Sequence, residues 1–222
     1  MQFSKSVPTT ILSSLVLITS LGAKAQDTDQ QGWYLKPTLA LSQMSDQTVN
    51  TTGVGALDGS GNAALSSGFA SGLVLGYDYG SRWSAELGWE YRSNGSEVSL
   101  ADGQRFNDGN YASNTFFINA LYGFAEGQFW QPYAGFGLSF IQEIDIDLET
   151  PAAELSYAGD GDTGFQIFAG VERELDARWS LLGEVRYTRF SGIELTGENT
   201  VGTMGGLDYT PLSLQLGVKF RF

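Results

Sequence analysis

Leu212-Ser-Leu-Gln-Leu-Gly-Val-Lys-Phe-Arg-Phe222 closes the chain in strict alternation. Leu212, Leu214, Leu216, Val218, Phe220 and Phe222 are apolar; Ser213, Gln215, Gly217, Lys219 and Arg221 are small or polar. Successive side chains of a strand point to opposite faces, so this segment has one wholly apolar face and one wholly polar face. A strand of a soluble sheet shows the same pattern. What decides between lipid and a protein core is whether other segments repeat it.

They do. Trp83, Ala85, Leu87, Trp89 and Tyr91 alternate with Ser84, Glu86, Gly88, Glu90 and Arg92. Similar alternation marks Trp33 to Ser42, Phe69 to Tyr79, Pro132 to Ile141, Phe165 to Arg173 and Trp179 to Phe190. Thr115 to Phe124 is less regular, because Phe117 and Leu121 fall on the face expected to be polar. With the last strand, eight segments emerge. Their connections alternate in length: short at 80–82, 125–130 and 176–178, long at 43–68, 93–114, 142–164 and 191–210. The pattern predicts an all-β fold, an eight-stranded antiparallel up-and-down transmembrane β-barrel with short turns at one end and long loops at the other. A soluble β-sandwich or lipocalin-like barrel is the alternative. It would place its apolar faces inside.

The N-terminus reads as a signal peptide over residues 1–25. Lys5 gives a basic start, 11–21 is a short apolar stretch, and Ala23-Lys24-Ala25 fits the small-x-small cleavage rule. The stretch is shorter than the roughly 20 residues a spanning helix needs. The mature chain, 26–222, is expected to be one barrel domain in the outer membrane, with both termini in the periplasm. Trp33, Trp83, Trp130 and Trp179 all sit beside the N-terminal entry or a short turn, which suits an indole girdle at that interface.

Twelve basic residues face 25 acidic ones, for a net charge of −13, and nucleic acid is repelled by such a surface. Cys is absent, which excludes disulfides and thiolate metal sites. His is absent as well, removing the commonest general base. No nucleophile elbow or phosphate loop occurs, so an enzyme is not expected.

The chain resembles the small outer-membrane barrels of the OmpA/OmpX type. The resemblance rests on Leu212 to Phe222, on Trp83 to Arg92 and Trp179 to Thr188, and on the glycine-rich Pro132-Tyr-Ala-Gly-Phe-Gly-Leu138. It covers essentially all of the mature chain. It implies that Phe222, with Phe220, forms the signal read by the outer-membrane assembly machinery. It implies an internal Glu/Arg/Lys network of the OmpA type. Longer family members add a peptidoglycan-binding domain; this sequence stops at its eighth strand, so no such tether is expected.

The polar faces assign Glu86, Glu90, Arg92, Glu172, Glu184, Arg186, Lys219 and Arg221 to the lumen. Charges confined there must pair, and pairing across strands is expected. The set reads either as a structural plug or as the gate of a narrow pathway. In the third long loop, acids alternate with Ile144, Ile146 and Leu148, which suggests that the fifth strand continues as a hairpin. Its edge is a candidate for pairing with another protein's strand. Asp160 and Asp162 with Asp145 and Asp147 are weak candidates for Ca²⁺, lacking EF-hand spacing. Lys36, Arg82, Arg173 and Arg189 lie near strand ends, where they reach lipid or lipopolysaccharide phosphates; Lys36 also suits an inward position.

The functional expectation is a cofactor-free, monomeric, non-enzymatic barrel that supports envelope integrity and displays acidic loops. The alternatives are a narrow porin-like channel and an adhesin acting through the loops.

Overall fold

The computed structural model describes residues 31–53, 58–125, 128–150 and 153–222. The expected signal peptide lies outside the described residues.

Eight long strands form a closed antiparallel ring. They are β1 (Gly32–Gln43), β3 (Gly59–Asp78), β4 (Trp83–Ser99), β6 (Asn110–Gly123), β7 (Gln131–Thr150), β9 (Thr163–Glu174), β10 (Trp179–Gly197) and β12 (Leu212–Arg221). Each pairs with the next, and β1 closes the ring on β12, with Leu39 opposite Leu216. The outward residues over this ring are apolar: Leu39 is 69% exposed, Phe136 61% and Leu216 67%. The inward ones include Thr38, Asn119, Gln166 and Gln215, all buried.

Much of each segment expected as a long loop is strand, and the third holds the hairpin its alternation suggests. Strands β3 and β7 run for 20 residues each and β10 for 19, whereas roughly 9–11 residues suffice to cross a bilayer. Four short strands fill the spaces between the extended ones: β2 (Gln47–Thr52), β5 (Arg105–Phe106), β8 (Ala153–Gly159) and β11 (Thr203–Tyr209). β11 joins β2 to β10, β8 joins β7 to β10, and β5 pairs with β4. A bridge between Asp108 and Glu149 links the remaining gap. The wall thus continues as a second storey beyond the apolar belt.

The interior of this storey is apolar. Val49, Val98, Phe106, Ile144, Ile193 and Leu207 are buried in a single cluster that also contains Met44, Tyr111, Tyr157 and Tyr209. Outside, the same wall carries Glu97, Glu143, Glu154 and Glu194, all exposed. Burying a Val, Leu, Ile or Phe side chain is worth roughly 1.5–3 kcal/mol, so this core holds together strands with no lipid around them.

Three bulges mark the change. On β3 the register shifts between Leu65 and Gly68, on the β6–β7 pair between Asn114 and Thr115, and on β10 between Phe190 and Ile193. On β7 the extra residue is Gln142, since Thr115 faces Ile141 and Asn114 faces Glu143. A bulge inserts one unpaired residue and reverses the side-chain parity beyond it. Phe136, Leu138 and Phe140 therefore face out, while Ile144, Ile146 and Leu148 face in. On β10, Gly192 supplies the positive φ (72°) that the reversal needs.

Candidate functional site

Inward positions of alternate residues bring the interior charges together as the polar faces predict, but in separate nests. Glu86 of β4 is completely enclosed. It accepts hydrogen bonds from Tyr34 Oη (2.9 Å) and Asn119 Nδ2 (3.2 Å) and pairs with Lys36. Asn119 in turn accepts from Gln166 Nε2 at 2.5 Å, which extends the chain of polar contacts to β9. Glu90 pairs with Arg92 at 2.5 Å, and Arg92 donates to Ser213 at 2.7 Å. Arg186 Nε donates to Glu184 at 2.9 Å, and Glu184 also accepts from Tyr133 Oη at 3.0 Å.

Two of these pairs correct the cross-strand expectation. Glu90–Arg92 and Glu184–Arg186 are two residues apart on one strand, where side chains share a face. The guanidinium of Arg186 also packs on Phe117 and Phe168, each ring centroid 5.0 Å from Cζ. Its Nη2 also lies 2.7 Å from Glu184 Oε1, so the ion pair reinforces the hydrogen bond from Nε. Cation–π contact accounts for the inward Phe117 that made this strand irregular in sequence.

The end nearest the chain termini holds the fourth nest. Lys219 pairs with Asp78 (3.0 Å) and Glu172 (3.4 Å); Arg221 pairs with Asp78 (3.3 Å), Glu172 (3.1 Å) and Glu174 (3.7 Å). The last strand is thereby tied across the lumen to β3 and β9. A cavity of about 110 Å³, lined by Asp78, Ser84, Tyr133, Glu172, Lys219 and Arg221 among others, reaches this end. It has room for a few waters.

Four aromatic rings fill the narrow interior beside glycines directly opposite them: Tyr34 with Gly76, Phe117 with Gly88, Phe168 with Gly135 and Tyr133 with Gly170. A Cβ on Gly76, Gly88 or Gly135 would overlap the ring facing it. The glycines make the space, since eight strands leave an interior only just wide enough for side chains. Inward Tyr34, Tyr133 and Asp78 were readable by parity. Their partners were not, because pairing depends on register between distant strands.

Trp33, Trp83, Trp130 and Trp179 are each 44–50% exposed and all lie toward the end bearing the termini. Trp33 meets Tyr77 edge-on at 5.0 Å, Trp83 meets Tyr122 at 5.1 Å, and Trp179 meets Phe220 at 4.6 Å. Phe222 is exposed, and its N–H donates to Trp33 O at 3.2 Å. Of the rim cations, Lys36 is interior, Arg189 pairs with Asp208 at 3.6 Å, Arg82 donates to Tyr122 Oη, and Arg173 lies on an aromatic pair.

At the opposite end, Asp145 lies on the outer wall. Partial burial, then the charges of Asp147, Glu143 and Glu198, push its carboxyl up to about 6. Burial, with Asp160 beside it, raises Asp162 as well. Among the described residues no three acids come close enough to hold a metal ion, so the Asp145, Asp147, Asp160 and Asp162 candidates are not gathered into a site. The expectation of an open hairpin edge is also corrected. Strand β8 meets β10, and the Asn199 amide covers its edge by accepting from Ser156 N (2.9 Å) and donating to Glu154 O (3.2 Å). A capped edge resists strand addition.

A closed ring with an apolar exterior and a charged, hydrogen-bonded interior defines a membrane-spanning β-barrel. The chain belongs to the family described as outer membrane protein beta-barrel domain, whose model matches residues 13–222. Its place is the outer membrane. No curated protein matches in sequence. Among solved structures, the outer membrane protein OprG from Pseudomonas aeruginosa is similar at a TM-score of 0.61 and 16% identity, over 88% of this chain and 99% of that one. Neisserial surface protein A is similar at a TM-score of 0.50 and 15% identity, over 86% and 97%. Such identities establish the shared fold and nothing finer.

Proposed function

We propose that this protein is a non-conducting, non-enzymatic structural barrel that supports the envelope and displays a rigid acidic storey on the cell surface. The observation that carries this reading is the filling of the interior at both levels. Paired charges and aromatic rings occupy the membrane ring, and the apolar cluster from Met44 to Tyr209 stops the storey above. An ion entering from outside would have to cross that dry core, and an unpaired charge there costs several kcal/mol. The absence of His from the sequence leaves no ordinary base to activate a serine. The short turns and both ends of the ring are assigned to the periplasm, with the acidic storey outside.

The test is single-channel recording of the refolded mature chain in a planar bilayer, with Glu86→Ala and Arg186→Ala alongside. Silence from a folded wild-type barrel is the expected result. Steady openings altered by either substitution would overturn it in favour of a narrow gated pathway. Adhesion is a second reading, favoured by the continuity of β7 and β10 into the storey, which makes it a stiff platform. Removing the β7–β8 hairpin would then abolish attachment of cells to surfaces while the barrel still folds.

A further inference from the structure

We propose that Arg173, with Phe129 and Trp130, forms a binding site for the phosphodiester of a glycerophospholipid in the periplasmic leaflet. The inference rests on the assignment of the short-turn end to the periplasm. Arg173 lies on β9 among outward residues: Val171 precedes it on the same face, and Leu181 of β10 stands directly opposite. Its guanidinium carbon sits 4.1 Å from the centroid of Phe129 and 5.7 Å from that of Trp130. The two rings meet edge-on at 5.7 Å and are 40% and 49% exposed. The cation therefore sits over an aromatic ledge at the border of the apolar belt.

Its sequence neighbours do not neutralise it. Glu172 and Glu174 face the lumen and are committed to Arg221, Glu172 at 3.1 Å and Glu174 at 3.7 Å. Among the described residues no carboxylate pairs with Arg173. A guanidinium stacked on aromatic rings keeps its N–H edge free, and that planar fork matches two oxygens of a phosphate. At headgroup depth the anion available in quantity is the lipid phosphodiester, while the lipid's acyl chains would lie along exposed Leu181 and Val171. The ledge thus supplies a charge for the head and an apolar wall for the tail.

The experiment uses the full mature barrel in a maltoside detergent, which contains no phosphate. Palmitoyl-oleoyl-phosphatidylglycerol is added, and native mass spectrometry counts lipids retained by wild type, Arg173→Gln, Arg173→Lys and a control, Arg105→Gln. Arg173→Gln is expected to lower retention about fivefold, the effect of one basic residue at a lipid surface. Arg173→Lys should fall between, keeping the charge and losing the planar fork. The control should match wild type, and heat-shifted gel mobility verifies that every variant is folded. Equal retention by folded Arg173→Gln overturns the site. Displacement of the lipid from wild type by inorganic phosphate would make it a free-phosphate site and overturn the lipid assignment. A separate Ala177→Cys variant, in a chain with no native cysteine, reports the leaflet. Labelling by an impermeant maleimide in intact cells would overturn the orientation while leaving the lipid result standing.

Discussion

The two storeys of this barrel share the same strands and have opposite insides. In the ring, Phe136, Leu138 and Phe140 of β7 face outward and Ser139 faces in; five residues on, Ile144, Ile146 and Leu148 face in and Asp145 and Asp147 face out. Nothing in the residue types changes between the two runs, since both place apolar side chains at even positions. The difference is made by one inserted residue, Gln142. The lower wall is solvated by lipid and needs its polarity inside; the upper wall is solvated by water and needs the reverse. A bulge lets one continuous strand satisfy both.

Exchanging neighbours on β7, Ile144→Asp with Asp145→Ile and Ile146→Asp with Asp147→Ile, should break this comparison most severely. Chain length and bulge are kept, but the fully buried positions 144 and 146 receive carboxylates and the isoleucines turn to water. Each unpaired carboxylate in an apolar core costs several kcal/mol. The storey should lose its fold and the ring keep its own. Hydrogen exchange checks this: amides of 144–148 should lose protection while those of 133–140 retain it. Unchanged protection at 144–148 would show that the core does not depend on parity.

The ring answers to a different substitution. Lys36→Met leaves the Glu86 carboxyl enclosed without the cation that pairs with it, with only Tyr34 and Asn119 as donors. Breaking a buried pair from one side costs roughly 3–5 kcal/mol. Urea unfolding in lipid vesicles should show that loss, and Lys36→Met with Glu86→Gln should recover most of it. A loss that persists in the double variant would mean the Lys36 stem, not its charge, is what matters. Gly88→Ala is the steric counterpart. The new methyl meets the Phe117 ring, and overpacking of this kind costs about 1–3 kcal/mol. Phe117→Leu in the same chain should relieve it, at the expense of the contact with Arg186.

The ring was legible because its strands keep parity for their whole membrane span. Trp83 to Arg92 and Leu212 to Phe222 state inside and outside residue by residue. The storey was legible only where acids alternate with Ile144, Ile146 and Leu148. Alternation tells which residues share a face but not which face is inside. That was settled by Val49, Ile193 and Leu207, which arrive from other strands. At Ser66-Ser67 and at Ser191-Gly192 the bulge interrupts the period, so the pattern stops there and the remainder reads as loop. The lumen charges followed from parity alone. The aromatic–glycine pairs did not, because Phe117 finds Gly88 only through the register of β4 on β6.

Asp145 should provide the smallest effect and the finest test of the upper wall. Its carboxyl ordinarily titrates near 3.9 and is raised to about 6 in the folded storey, first by partial burial and then by Asp147, Glu143 and Glu198. The folded form therefore holds the proton more tightly than the unfolded one. Below about pH 4 both states are protonated and the storey carries no penalty from this group. Between about pH 4 and 6 the unfolded state gains its charge first, so stability falls as pH rises, and it levels off above the folded value. Asp162, raised in the same direction, adds to the slope. Asp145 is part-exposed, so the loss is expected to be under about 1 kcal/mol after solvent screening. Hydrogen exchange at Ile144 and Ile146, followed from pH 4 to 7 and corrected for intrinsic rates, should show protection declining across this window. Asp145→Asn should flatten the decline and leave the amides of the ring unaffected. A flat wild-type profile would mean that the acids of the upper wall are spaced widely enough for water to screen them, and that the apolar core alone sets its stability.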